Sequence, residues 1–189
     1  MREEFSNLLK QIGKQLFMKY FKPFLFLVLF LSLLSLFGCS NDSEDNHINF
    51  DFVASEKTLP ANFDEIAYDR ETTPLFRVLV KKSVNQSEFA KTWNFYGLKK
   101  NRPSINFDEK DVFFIGVHES GSCPYKTKNV EVSSENNILT VSLAEPEGAC
   151  TSDATPRTFV IEIEKEISKD IENVVIVQGG IETNVPFEK

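Results

Sequence analysis

The chain has 189 residues, 41% of them hydrophobic, which suits one ordinary domain and a targeting segment. Its net charge of -7 is unevenly distributed: residues 1–38 carry five Lys or Arg and two Glu, a net +3, so the remaining residues carry -10. An acidic body argues against nucleic acid as a partner, because nucleic-acid binding needs a basic surface that displaces phosphate counterions.

The N-terminal segment has the pattern of a bacterial signal peptide. Residues 24–37 are uncharged and apolar, and this run is shorter than the roughly 20 residues that a transmembrane helix usually needs. Lys19 and Lys22 supply the positive charge that precedes such a run. A chain starting at Met18 would already carry the complete signal, so Met18 is a candidate translation start.

The end of this segment, Leu36-Phe37-Gly38-Cys39, resembles the lipobox of bacterial lipoproteins. In that family the cysteine thiol receives a diacylglycerol, the peptide bond before it is cleaved, and the lipidated cysteine becomes the new N-terminus. The resemblance implies that residues 1–38 are removed and that lipid on Cys39 holds the mature protein on the extracytoplasmic face of the cell membrane. The alternative is an uncleaved membrane anchor ending at Cys39, which leaves the remaining chain on the same side.

The segment after the lipobox is interpreted as a tether. Residues 40–46 (SNDSEDN) are polar and acidic, and they contain too few apolar groups to offset the entropy of ordering. Together with Cys39 they form a lipidated N-terminus and acidic spacer, residues 39–46. Residues 47–189 then form a single extracytoplasmic domain.

Short strands dominate the predicted domain. The Gly179-Gly180 pair predicts a turn, and Glu135, Asn136 and Asn137 predict a tight hairpin turn, because asparagine tolerates positive φ. The run 111–118 is apolar almost throughout, as in a central strand buried on both faces. Alternating or continuous apolar patterns predict strands at residues 48–53, 75–81, 111–118, 128–134, 138–143, 157–164 and, as the last, 174–178.

One helix is predicted over residues 85–96. Phe89, Trp93 and Tyr96 recur at helical spacing, and Gly97 is a natural stop. Many short strands with one helix indicate a β-dominated α+β domain, either a small antiparallel sheet or a sandwich.

Cys123 and Cys150 are predicted to form a disulfide. Outside the cytoplasm two such thiols are more often joined than free. In the loop-entropy model a bridge of this span stabilises the fold by about 3 to 4 kcal/mol. A redox-active pair is the weaker alternative, because the C-x-x-C spacing is absent, and two free thiols are the other.

The order of three blocks, residues 105–125, 130–146 and 155–165, resembles the C-terminal domain of the PrcB-type family. That family takes its name from a lipoprotein subunit of a surface protease complex. The resemblance covers about a third of the chain and implies a noncatalytic accessory or binding role. The matching residues are Asn106, Phe107 and Asp108 at a strand entry, Gly121 and Tyr125 at a turn, Pro146 in a loop and the closing strand 156–163.

The sequence contains one candidate catalytic cluster and one candidate metal-binding segment. His118, Glu119, Ser120 and Ser122 contain the groups of a nucleophile and a base, but neighbours along a strand point to opposite faces, so His118 and Glu119 would not normally converge. A solvated loop edge is the simpler interpretation of this cluster. The acidic residues of segment 42–45 resemble half of a calcium loop and lack its glycine and terminal glutamate. Neither a metal nor a cofactor is predicted.

Two surfaces are candidates for binding. Phe95 falls on a different side of the predicted helix from the core positions, so it is a candidate exposed anchor. Pro124, Tyr125 and Arg157 lie near the two cysteines, and loops tied by a disulfide would lose less entropy on binding. The predicted function is a noncatalytic, lipid-anchored binding or accessory protein with an extracytoplasmic protein partner. The alternatives are an inhibitor of a secreted or surface enzyme and, third, a hydrolase.

Overall fold

A computed structural model describes residues 50–70, 76–133 and 137–186. The predicted signal peptide, Cys39 and the tether lie outside the described residues. Within the described ranges the elements are β1 (Phe50–Glu56), α1 (Phe63–Ile66), β2 (Tyr68–Asp69), β3 (Arg77–Ser83), α2 (Gln86–Phe95), β4 (Lys110–Glu119), β5 (Lys126–Ser133), β6 (Ile138–Ala144), β7 (Thr155–Glu164), α3 (Lys165–Ser168), β8 (Asn173–Gln178) and β9 (Ile181–Pro186).

The first sheet has five strands in the order β1-β7-β4-β3-β2, and all its pairings are antiparallel. β4 lies in the middle, and residues 111–117 of this strand are buried on both faces. The prediction of a central, doubly buried strand at 111–118 is therefore confirmed, apart from the half-buried His118.

The second sheet has the order β5-β6-β8-β9, and its β6–β8 pairing is parallel. The chain leaves this sheet after β6, adds β7 to the first sheet and returns through α3, which explains how β6 and β8 come to run in the same direction. A single apolar core, including Phe113 and Ile161 from the first sheet and Leu139 and Ile176 from the second, fills the space between the sheets. The β-dominated fold is confirmed as a two-sheet sandwich with few short helices.

Two turns next to strands of the second sheet contain residues with positive φ. Asn137 has φ 53°, as predicted for the turn that precedes β6, while Glu135 and Asn136 lie outside the described residues. Gly179 and Gly180 have φ 56° and 76° and turn the chain from β8 into β9. The prediction that 174–178 is the last strand was wrong, because β9 adds an edge strand whose Glu182, Thr183 and Asn184 weaken the apolar pattern.

Helix α2 covers the outer face of the first sheet. Phe89 and Trp93 are buried there against Phe114, which confirms their predicted place in a core. The helix ends at Phe95, and Gly97 follows with φ 70°, a left-handed conformation that lets the Leu98 N–H donate to the Trp93 carbonyl at 3.2 Å. No helix in the described parts of the chain is both long and apolar enough to cross a membrane.

Candidate functional site

The disulfide joins the two loops that the sequence singled out. Cys123 and Cys150 are bonded at an S–S distance of 2.08 Å, with their Cα atoms 5.5 Å apart. Cys123 is buried, whereas Cys150 is exposed. The β4–β5 loop (120–125) and the β6–β7 loop (145–154) are called here the stapled loops.

A second set of bonds holds the stapled loops together. Asp153 Oδ1 accepts from the Gly121 N–H at 3.1 Å and from the Thr151 hydroxyl, and its Oδ2 accepts from Thr155 Oγ1 at 3.0 Å. These bonds, the one from Thr151 foremost, lower the pKa of the Asp153 carboxyl to about 2. The Ser122 hydroxyl accepts from the Thr151 N–H at 2.9 Å. These bonds and the disulfide therefore fix the two loops to each other.

Glu119 closes the base of the stapled loops. Its side chain is fully buried. Its Oε1 forms an ion pair with Arg157 Nη2 at 2.6 Å and accepts a hydrogen bond from Arg157 Nε at 2.8 Å. Its other oxygen accepts from the Tyr125 N–H at 2.8 Å. Arg157 also donates to Ser55 Oγ at 3.1 Å, so its guanidinium bonds within the domain.

These contacts correct the predicted binding surface beside the disulfide. Tyr125 is 7% exposed, and its hydroxyl donates to Glu145 Oε1 at 2.8 Å. Burial and this bond raise the pKa of the Tyr125 phenol. Arg157 is turned inward to Glu119, and its side chain is 13% exposed. Pro124 is half-buried, so none of the three predicted residues is a fully exposed anchor.

The possible catalytic cluster is divided between the two faces of β4. The His118 ring packs edge-to-face on Phe63, with ring centroids 5.1 Å apart, while Glu119 points to the opposite face. The hydroxyls of Ser120 and Ser122 lie 3.2 Å apart and bond to each other. The interpretation of the whole cluster as a solvated loop edge was wrong for Glu119, which is 3% exposed because it pairs with Arg157.

No three His, Cys, Asp or Glu side chains in the described ranges are grouped so that they would hold a metal ion. The acidic segment 42–45, which resembles half of a calcium loop, lies outside these ranges.

An open groove lies along the outer edge of β3, with a volume of about 1060 Å³. Its lining includes four successive residues of β3, Leu79 to Lys82. Successive side chains of a strand point to opposite faces, so a groove that touches all four follows the edge of the sheet. Lys91 and Phe95 of α2 line one side, and Lys169 and Ile171, after α3, line the other. This space is called here the edge groove.

The edge groove contains Phe95, the other predicted anchor. Phe95 is 37% exposed, which confirms the prediction that it faces away from the core. Lys81 Nζ lies 5.4 Å from the centroid of its ring, a cation–π arrangement. Ile66 and Val84 add apolar side chains that are 39% and 38% exposed. Phe95 therefore belongs to a different surface from the stapled loops.

Sequence reasoning missed the edge groove except for Phe95. The available signal was the pair Lys81-Lys82 at the end of an otherwise apolar strand, since lysine is frequent on edge strands. That signal does not say which strand lies at an edge. Comparison of the chain with known protein families, curated proteins and solved structures finds no match.

Proposed function

We propose that this chain is a lipid-anchored, noncatalytic binding or accessory protein of the extracytoplasmic face, and that it binds a protein partner in the edge groove. The observation that supports the proposal is the combination, in one groove, of exposed apolar side chains, lysines and the edge of a strand. Aromatic anchors beside apolar neighbours are typical of the energetic centres of protein interfaces. The accessory role agrees with the PrcB-type resemblance of residues 105–165.

The membrane attachment in this proposal rests on the lipobox residues Leu36 to Cys39. The intact mass of protein purified from native membranes tests it. We expect a chain that begins at acylated Cys39, and Cys39→Ser is expected to move the protein out of the membrane fraction. A chain that retains Met1 or Met18 without lipid would make residues 1–38 an uncleaved anchor.

Site-specific photocrosslinking tests where the partner binds. A photoreactive phenylalanine analogue at position 95 of the full lipoprotein, in the cells that make it, is expected to give one discrete crosslinked adduct. The matched control carries the analogue at Ser152, an exposed position in the stapled loops. An adduct at position 152 and none at position 95 would move the binding surface to the stapled loops, and adducts at neither position would count against a protein partner.

The stapled loops favour a second candidate, an inhibitor of a secreted or surface enzyme. Loops that are already ordered lose little entropy when they enter an active site, and here a disulfide and the bonds to Asp153 supply that order. Their exposed residues are mainly small and polar, among them Ser122, Thr151 and Ser152. Loss of a partner enzyme's activity on binding, abolished by Ser152→Arg and unaffected by Phe95→Ala, would establish this function instead.

A further inference from the structure

We infer that the partner inserts an extended acidic segment into the edge groove, where it pairs with β3 as an added strand. This inference rests on the proposed function, since it specifies the chemistry and the binding mode of the partner. Addition of a strand to an open sheet edge is a common way of recognising peptides, because backbone hydrogen bonds supply affinity and flanking side chains supply specificity.

The backbone of β3 is only partly paired on its outer side by the described residues. On its outer side, the described residues pair with β3 only at Arg77 and Val78, through β2. The Arg70 N–H donates to the Phe76 carbonyl at 3.1 Å, so Phe76 directs its backbone towards β2. Backbone direction alternates along an antiparallel strand, and the N–H and C=O groups of Val80 and Lys82 therefore point into the edge groove. Within the described ranges no backbone group is bonded to them there.

The edge of β3 is regular. β3 pairs with β4 without interruption from Val78 to Ser83. Edge strands β1 and β5 each contain a register shift, between Phe52 and Ala54 and between Thr127 and Asn129. Such bulges are a device that disturbs pairing with another chain. The stretch of β3 from Leu79 to Lys82 lacks this protection, and the backbone groups of Val80 and Lys82 can pair with an added strand.

The lining of the edge groove carries more positive than negative charge. Four lysines and one glutamate line the edge groove, although the chain after residue 38 carries a net charge of -10. Glu88 is engaged at the start of α2, where it accepts from the Val84 N–H at 3.1 Å. Lys82 and Lys169 pair with Asp111 and Glu166. Among the described residues, Lys81 and Lys91 have no carboxylate within ion-pair distance. A segment with carboxylates would neutralise these two lysines.

Lysines on an edge strand also have a simpler explanation, which is to prevent pairing with other chains. The exposed apolar side chains of Ile66, Val84 and Phe95 beside the same edge argue against it, because they favour association. The two explanations differ in what they predict: a protected edge binds no extended peptide, and a docking edge binds acidic ones.

Selection of peptides tests the inference on the full lipoprotein in detergent. A displayed library of random decapeptides is the probe. We expect enrichment of acidic sequences with alternating β-branched or aromatic residues, and roughly tenfold weaker binding to the double variant Lys81→Glu/Lys91→Glu. The matched control, Lys126→Glu/Lys128→Glu, reverses two exposed charges on the β5 edge and is expected to leave the affinity unchanged. Failure to enrich any peptide, or equal weakening by both variants, would overturn the inference.

Amide hydrogen exchange distinguishes strand pairing from simple charge attraction. With a selected peptide bound, the amides of Val80 and Lys82 are expected to slow, while those of Leu79 and Lys81, which face β4, stay unchanged. In an added strand, every second backbone N–H of the peptide points towards β3. Methylating the nitrogens that point towards β3 should abolish binding, and methylating those that point away should not. If Phe95 crosslinks to a partner and these amides do not respond, the proposed function stands and the added strand is wrong.

Discussion

The stapled loops and the edge groove differ in where their polar groups find partners. Asp153 and Tyr125 in the stapled loops, and Glu119 at the end of β4, all bond to other residues of the domain. In the edge groove, the backbone groups of Val80 and Lys82 face outward along a regular strand. The loops hold more of the residue types associated with active sites, yet these side chains form hydrogen bonds within the domain. The backbone groups of Val80 and Lys82 in β3 could instead bond to a partner.

Removal of Glu119 is expected to give the largest effect, because it tests whether the stapled loops are structural. Glu119→Ala leaves the Arg157 guanidinium and the Tyr125 N–H without their partner. Breaking a buried ion pair in this way costs roughly 3–5 kcal/mol of unfolding free energy. Urea denaturation measures the loss.

The matched control for Glu119 is the exposed pair of Arg77 and Asp64, joined at 2.9 Å. Asp64→Ala is expected to cost about 1 kcal/mol or less, because water already solvates both charges. Similar losses in the two variants would show that the Glu119 pair is no more structural than a surface pair.

Removal of the disulfide is expected to have the next largest effect. Cys123 and Cys150 are 27 residues apart in sequence, and the loop-entropy model assigns such a bridge about 3.5 kcal/mol. The Cys123→Ala/Cys150→Ala variant should therefore lose about that much in urea denaturation. The bonds to Asp153 should still hold the loops, so the amide resonance of Gly121 is expected to keep its position. A large shift of that resonance would mean that the disulfide alone orders the loops.

Acid titration is expected to affect the stapled loops, through Asp153, and not the edge groove. The pKa of Asp153 is about 2 in the folded protein, below its ordinary 3.8. A lowered pKa means that the ionised carboxylate stabilises the loops above pH 3.8, and this contribution is lost as the pH falls towards 2. The Gly121 amide shift should follow that titration. Thr151→Val removes the hydrogen bond that contributes most to the lowered pKa of Asp153, and should raise the pH at the midpoint of the titration. The Phe95 resonances should not change with pH over this range.

Truncation of Phe95 is expected to have the smallest effect on stability. Phe95→Ala removes a side chain that is 37% exposed, at a cost of about 1 kcal/mol or less. Phe89→Ala on the same helix removes a side chain with no exposure, and should cost roughly 3–5 kcal/mol. Thermal or urea unfolding of the two variants compares them. Equal losses would make Phe95 a core residue and weaken the case for the edge groove.

The sequence predicted those features that depend on neighbouring residues. Periodicity located seven of the strands and helix α2, since a face that packs on a core repeats its apolar residues at the period of its element. Asn137 and Gly97 were identified because positive φ restricts the choice of residue. β9 was missed because an edge strand that faces solvent has a weak apolar pattern.

The tertiary structure alone decided which strands lie at an edge and which polar groups are buried. Strand order depends on pairings between distant segments, such as β4 with β7, and no local pattern records them. Glu119 and Arg157 are 38 residues apart, so their pairing, and the burial it permits, could not be inferred from either segment. For the same reason the apolar sequence of β3 suits a central strand, and only the fold shows that, among the described residues, no strand pairs with the outer side of Val80 and Lys82.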